Sequence, residues 1–159
     1  MFIWFDTENM IRIYDEFGTQ SNAITLPKHI SSLKDFAFDS MGNLFVISQG
    51  QHHILWLSEQ GYELGYIGEF GIELSEQLNG PVSLTIDLND QIHVLNVGTR
   101  TIKVFSNNGV FLFEYGQNRR GKQKQIHSID GKKNIILKGG MMKDRTWQLS
   151  PKGKLLVTH

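Results

Sequence analysis

The chain of 159 residues contains no cysteine. Disulfide staples and thiolate metal sites are therefore excluded, and nothing points to an oxidising compartment. No apolar run approaches the roughly 18 residues that a membrane-crossing helix needs, so no membrane partner is expected. The opening residues, Met1 to Asp6, read MFIWFD. They carry neither a basic n-region nor a long apolar stretch, so no signal peptide is expected and the cytoplasm is the expected location. A Gly-rich phosphate loop, a nucleophile elbow and a Ser/His/Asp constellation are all missing. No catalytic residue, metal site or cofactor is expected. Proline is scarce, at three residues.

What the chain does contain is glycine, sixteen copies, spread between short apolar runs rich in its ten phenylalanines. That texture suits strands joined by tight turns. Four segments share one plan: a β-rich run, a turn, a second run, then a polar turn closing on glycine. They read FIWFDTENMIRIYDEFG from Phe2, LFVISQGQHHILWLSEQG from Leu44, IHVLNVGTRTIKVFSNNG from Ile92 and, with poorer matching, IILKGGMMKDRTWQLSPKG from Ile135. The closing glycines are Gly18, Gly61, Gly109 and Gly153, at intervals of 43, 48 and 44 residues. A period near 40 to 50 with several short strands per unit is the signature of a propeller blade. Helical solenoids have similar periods but need apolar residues at helical spacing. Here they come in blocks, as in Leu44-Phe45-Val46-Ile47, which suits strands buried on both faces between neighbouring blades.

The third unit predicts strands over Val82–Asp87, Gln91–Asn96, Thr101–Ser106 and Val110–Tyr115, and the Asn108-Gly109 pair is a strong hairpin signal. The second predicts Lys34–Asp39, Leu44–Ser48, His53–Ser58 and Tyr62–Ile67. The expected fold is all-β: a propeller segment of about four four-stranded antiparallel blades over residues 1–26, 27–71, 72–116 and 117–159. The first blade lacks its opening strand, because Phe2–Phe5 matches the second strand of the later units.

The pattern resembles the NHL repeat. Asp39-Ser40-Met41-Gly42-Asn43-Leu44-Phe45-Val46 carries the first half of the motif, Phe5 to Gly18 carries the second, and Pro81 stands just before a strand. Ser48, Asn96 and Lys138 depart from it, standing where the family often has Asp. The resemblance implies a ring usually of about six blades, and it implies several possible roles. Some NHL-like propellers bind RNA through a basic face, and some are lyases using metal-bound His with Tyr. Those lyases are secreted and carry disulfides, which a chain without cysteine cannot form.

About 3.75 blades either close into a compact four-bladed ring or form an open arc with two terminal faces. An open arc exposes apolar side chains and the strand edge at Phe2, Ile3, Trp4 and Phe5, a liability in a soluble protein. The expected role is a non-enzymatic interaction module completed by a protein partner or another copy of itself, with a head-to-tail dimer favoured. Charge supports such a join. Residues 1–116 hold five Lys or Arg against fourteen Asp or Glu, a net of −9, and residues 117–159 hold eleven against two, a net of +9. The basic cluster Arg119, Arg120, Lys122 and Lys124, with Lys132 and Lys133, is the candidate binding patch. RNA is its alternative partner, although no aromatics interleave with it to stack bases.

The remaining chemistry reads as structural. Neighbouring His52 and His53 point opposite ways on a strand and suit no shared metal. His93 is expected to pack or hydrogen-bond near Asp87 and Asp90, while Asp39, Asp87 and Asp90 are expected to bond their own turns. Trp4, Trp56 and Trp147 are expected in the core.

Overall fold

The computed structural model describes residues 1–30 and 32–116, together with the backbone of four later strands. The chain is all-β. Among the described residues fifteen strands form four antiparallel sheets, one of three strands and three of four. The first sheet runs β1 (Phe2–Phe5), β2 (Met10–Tyr14), β3 (Gln20–Thr25); the second runs β4 (Leu33–Phe38), β5 (Leu44–Ser48), β6 (Ile54–Leu57), β7 (Glu63–Ile67). The third runs β8 (Pro81–Ile86), β9 (Ile92–Asn96), β10 (Thr101–Phe105), β11 (Phe111–Tyr115), and the last runs β12 (Lys124–Ile129), β13 (Ile135–Gly139), β14 (Thr146–Leu149), β15 (Leu155–Thr158). Only a 3-10 turn, Asp6–Glu8, interrupts the β pattern among the described residues.

Each sheet is a meander in which sequential strands are neighbours, and the opening strands of successive sheets lie side by side, β4 by β8 and β8 by β12. That is the hub of a propeller. The first sheet lacks a hub strand, as the sequence pattern predicted. Strand boundaries fall within a residue of expectation. Pro81 opens β8 rather than preceding it, a position where its missing N–H is tolerated.

The turns explain the glycine spacing. Asp15, Asp39 and Asp87 each close a strand and accept, on Oδ1, the N–H groups two and four residues on. Ser58 Oγ does the same after β6. Such a loop needs a left-handed residue three positions on, which Gly18, Gly42, Gly61 and Gly109 supply with φ of 79°, 83°, 87° and 85°. Asp90 fills that position in the third blade with φ of 57°. Its carboxylate serves the neighbouring blade instead of its own turn, because it accepts both the N–H and the hydroxyl of Ser40.

Alternation along the middle strands divides the core between the two sides of each blade. Leu44 and Val46 of β5, with Leu55 and Leu57 of β6, pack with Ile11 and Ile24 of the first blade. Phe45, Ile47, Ile54 and Ile67 pack with Leu84, Ile92, Val94 and Phe105 of the third. Middle strands are therefore buried on both faces, and every residue of β5, β9 and β10 is buried. Trp56 is half-buried and packs against this core, its ring nearly parallel to that of Phe45 at 6.0 Å. Trp4 and Trp147 occupy strands β1 and β14.

Candidate functional site

Each blade has a leading face, turned to the blade before it, and a trailing face, turned to the blade after. Registers align the leading faces residue by residue. In β6 they place Leu55 and Leu57 opposite Val46 and Leu44, and in β10 they place Lys103 and Phe105 opposite Val94 and Ile92. All eight are buried to within 4% exposure. The same register in the first blade puts Arg12 opposite Ile3 and Met10 opposite Phe5, with Tyr14 bonded to Met1. None of these is buried: Met1 is 67% exposed and Ile3 36%. Arg12 lies 4.3 Å over the Phe5 ring and pairs with Glu8.

The closing glycines tell the same story. A Cβ on Gly61 would stand 2.8 Å from the Thr25 carbonyl oxygen, and one on Gly109 would stand 3.1 Å from Ile67 Cγ1. Both contacts are with the outer strand of the preceding blade. A Cβ on Gly18 meets nothing within 4 Å. The inner edge of β1 pairs with no described strand, since the sheet order places β1 at its border with β2 as sole neighbour.

The expected assembly edge thus divides between two faces. Phe2 turns to the trailing side, stacked on Phe38 of β4 at 4.4 Å, while Ile3 and Phe5 share the leading face with Met10 and Arg12. Trp4 lies in β1 opposite Ile11. Arg119, Arg120, Lys122, Lys132 and Lys133 lie outside the described residues, and Lys124 opens β12.

Lys103 was hidden in the pattern of a β-rich run. It is 2% exposed, and its Nζ donates at 2.8 Å to the carbonyl oxygens of both Ser75 and Gln77, in the segment connecting the second blade to the third. Two carbonyls satisfy the buried ammonium and tie the connection to the blade. Leu55 holds the equivalent register position in the second blade and Arg12 in the first.

Among the described residues no group of three His, Asp or Glu is placed to hold a metal ion. His52 Nδ1 accepts the Gly80 N–H at 3.0 Å. A cavity of about 110 Å³ lies in the second blade, between the segment before β4 and the strands β5 to β7, lined by His29, Ser48, His53 and Tyr66 among others. Glu63 accepts the Tyr66 hydroxyl at 3.0 Å and lies 3.5 Å from His29. Burial pushes His53 below the ordinary imidazole range, helped by the charges of His29 and His52. This cluster joins residues far apart in sequence and carried no local motif.

His93 is 1% exposed, held between Tyr115 (2.9 Å from Nδ1) and Asp87 (3.3 Å from Nε2). Nε2–H donating to the carboxylate and the Tyr115 hydroxyl donating to Nδ1 satisfies a neutral ring. Burial lowers its pKa despite the raising influence of Asp87. Burial likewise raises the Tyr115 pKa. A base with a lowered folded pKa stabilises the fold fully above its unfolded value, about 6.5, and the contribution is lost as pH falls from there through the folded value. Stability should therefore fall between pH 7 and pH 5, and His93→Gln should flatten that slope in urea titrations. An equal slope in the variant would assign the effect to another group. All three side chains are engaged with one another and sealed from solvent, an arrangement of structural bonding.

No family model matches the chain, and no curated protein matches it. Solved structures do. The chain superposes with a TM-score of 0.66 on a streptogramin B lyase, at 18% identity over 98% of this chain and 49% of that one. A virginiamycin B lyase from Staphylococcus aureus gives 0.67, at 11% identity over 99% and 50%. The Pan2 WD40 domain of Neurospora crassa gives 0.60, at 13% identity over 96% and 44%. Lyases and WD40 domains share the propeller fold, and at these identities the likeness is one of fold alone. The chain spans about half the length of the structures it matches.

Proposed function

We propose that this chain is an NHL-type propeller segment, divided into blades near 1–26, 27–71, 72–116 and 117–159, that works in the cytoplasm as a non-enzymatic interaction module. The observation that carries this is the leading face of the first blade. It repeats the register of two buried blade faces yet leaves Met1, Ile3, Phe5, Met10 and Tyr14 accessible. A face built like an internal joint is a docking face for another blade. Asp15, Asp39, Asp87, His52 and His93 are engaged in turns, a linker contact and a sealed network, which supports binding over catalysis, although the cavity group of His29, His53, Tyr66 and Glu63 and the lyase neighbours keep an enzymatic role as a distant rival.

The test is Ile3→Glu with Phe5→Glu. The pair should abolish binding of a hydrophobic dye at this face, or abolish association if the face is covered, and leave the β-sheet circular dichroism intact. Unchanged dye binding and unchanged mass would count against the reading. The basic quarter favours one alternative, RNA binding. Replacing Arg119, Arg120, Lys122 and Lys124 with Ser should weaken association with little effect on stability, since exposed charges add little. Intact association with loss of salt-sensitive RNA retention would support the RNA reading instead.

A further inference from the structure

We propose that the connection between the second and third blades, residues 68–80, is a preformed docking surface for a basic amphipathic segment of another protein, which lays its apolar side on Phe70, Ile72 and Leu74. The surface belongs to a different joint from the first blade's leading face and goes beyond that reading.

The connections that lead into the hub strands are unlike one another. That into β4 covers 26–32, whereas that into β8 covers 68–80, nearly twice the length. The longer one is held in three ways. Leu78 is fully buried in the core between the two blades. Gln77 Oε1 accepts the N–H groups of Glu73 and Leu74, both at 3.0 Å, and its amide lies where a Cβ on Gly71 would stand. Lys103 fixes the Ser75 and Gln77 carbonyls from a position that Leu55 fills in the second blade. A buried ammonium is far more costly than a leucine unless it is bonded, and both of its bonds go to this connection.

So anchored, the connection holds Phe70, Ile72 and Leu74 outward, each more than half exposed. The His52 ring backs Phe70 at 4.5 Å and is itself fixed by the Gly80 N–H. A slack loop of this composition would tuck its apolar residues away. A fixed one presents them with the ordering already done, which favours binding.

Charge names the occupant. Exposed Glu69, Glu73 and Glu76 interleave with the three apolar side chains. No Lys or Arg pairs with these carboxylates among the described residues. Apolar side chains inside an acidic rim are matched by apolar side chains flanked by Lys and Arg. The same rim repels the phosphates of a nucleic acid.

The probe is a fluorescein-labelled amphipathic helical peptide of Leu and Lys, with a Leu/Glu peptide of the same pattern and a single-stranded RNA as counterparts. Fluorescence anisotropy should show binding of the Leu/Lys peptide only. Phe70→Ser with Ile72→Ser should weaken it about tenfold, the loss expected for central apolar anchors. Phe17→Ser, which removes an equally exposed ring from the turn after β2, should leave it unchanged. Ile3→Glu with Phe5→Glu should also leave it unchanged, whether or not the first blade's face docks another blade. Glu69→Gln with Glu73→Gln and Glu76→Gln should weaken binding at low salt and flatten its salt dependence. Absence of Leu/Lys binding overturns the proposal, as does binding that survives the Phe70 and Ile72 changes. Loss with Ile3→Glu and Phe5→Glu instead would place the peptide on the first blade and overturn it too. Equal binding of the Leu/Glu peptide, or a salt dependence unmoved by the Gln variants, would overturn the basic partner. RNA binding lost with Phe70→Ser would make the surface one for nucleic acid.

Discussion

Gly61→Ala should destabilise the protein by about 3 kcal/mol, and Gly18→Ala by about 1 kcal/mol. Both residues are left-handed, with φ of 87° and 79°, so both pay the penalty of placing a Cβ in that region. They differ in what the Cβ meets. At Gly61 it falls 2.8 Å from the Thr25 carbonyl oxygen and 3.1 Å from Ile24 Cγ2, and the oxygen belongs to backbone that cannot swing away. The blades must separate or the turn must distort. At Gly18 there is open space. Urea midpoints with an unchanged slope measure both costs. Equal losses at the two glycines would show that the first and second blades do not meet as described.

Phe105→Ala should cost about 3–5 kcal/mol, the range for emptying a buried aromatic site. Phe105 is fully buried and its ring meets Phe111 at 5.8 Å edge to face. It belongs to the cluster that joins Phe45, Ile54 and Ile67 of the second blade to Leu84, Ile92 and Val94 of the third. The truncation opens its cavity at the joint itself. Trp56, stacked on Phe45 in that region, should report the loosening by fluorescence. Leu112→Ala, 41% exposed in the next strand, should stay within about 0.5 kcal/mol. A small loss at Phe105 would mean the two blades are not coupled through this cluster.

The blade plan was legible because its cause is local. Gly18, Gly61 and Gly109 are required by the handedness of their turns, and Asp39 and Asp87 by the N–H groups they receive. Ser48 and Asn96, which depart from the family's Asp, still bond the connecting segments: Ser48 donates to the Ser32 carbonyl, and Asn96 accepts the Asn79 N–H. What escaped was set by residues distant in sequence. Lys103 reads as an ordinary polar residue in TIKVF, and its burial follows from carbonyls 26 and 28 residues earlier. The grouping of His29, Glu63, Tyr66 and His53 forms within the second blade, only when the segment before β4 meets β7. The sequence predicts that Asp90 bonds its own turn, and its reach to Ser40 depends on which turns become neighbours.

That last contact has a consequence for how the chain finds its order. The turns at Asp39 and Asp87 are built alike, so neither says which blade belongs beside which. The information lies in pairs that differ from blade to blade: Ser40 with Asp90, and Asp35, whose carboxylate accepts the Ser83 hydroxyl at 2.7 Å and the Leu84 N–H at 2.9 Å. These bonds act as address labels among near-identical modules. Without them a refolding chain could seat a blade from another molecule in the wrong slot with its turns fully satisfied. Swapped and tangled oligomers, rather than unfolded monomers, are then the characteristic product of removing Asp35 or Asp90.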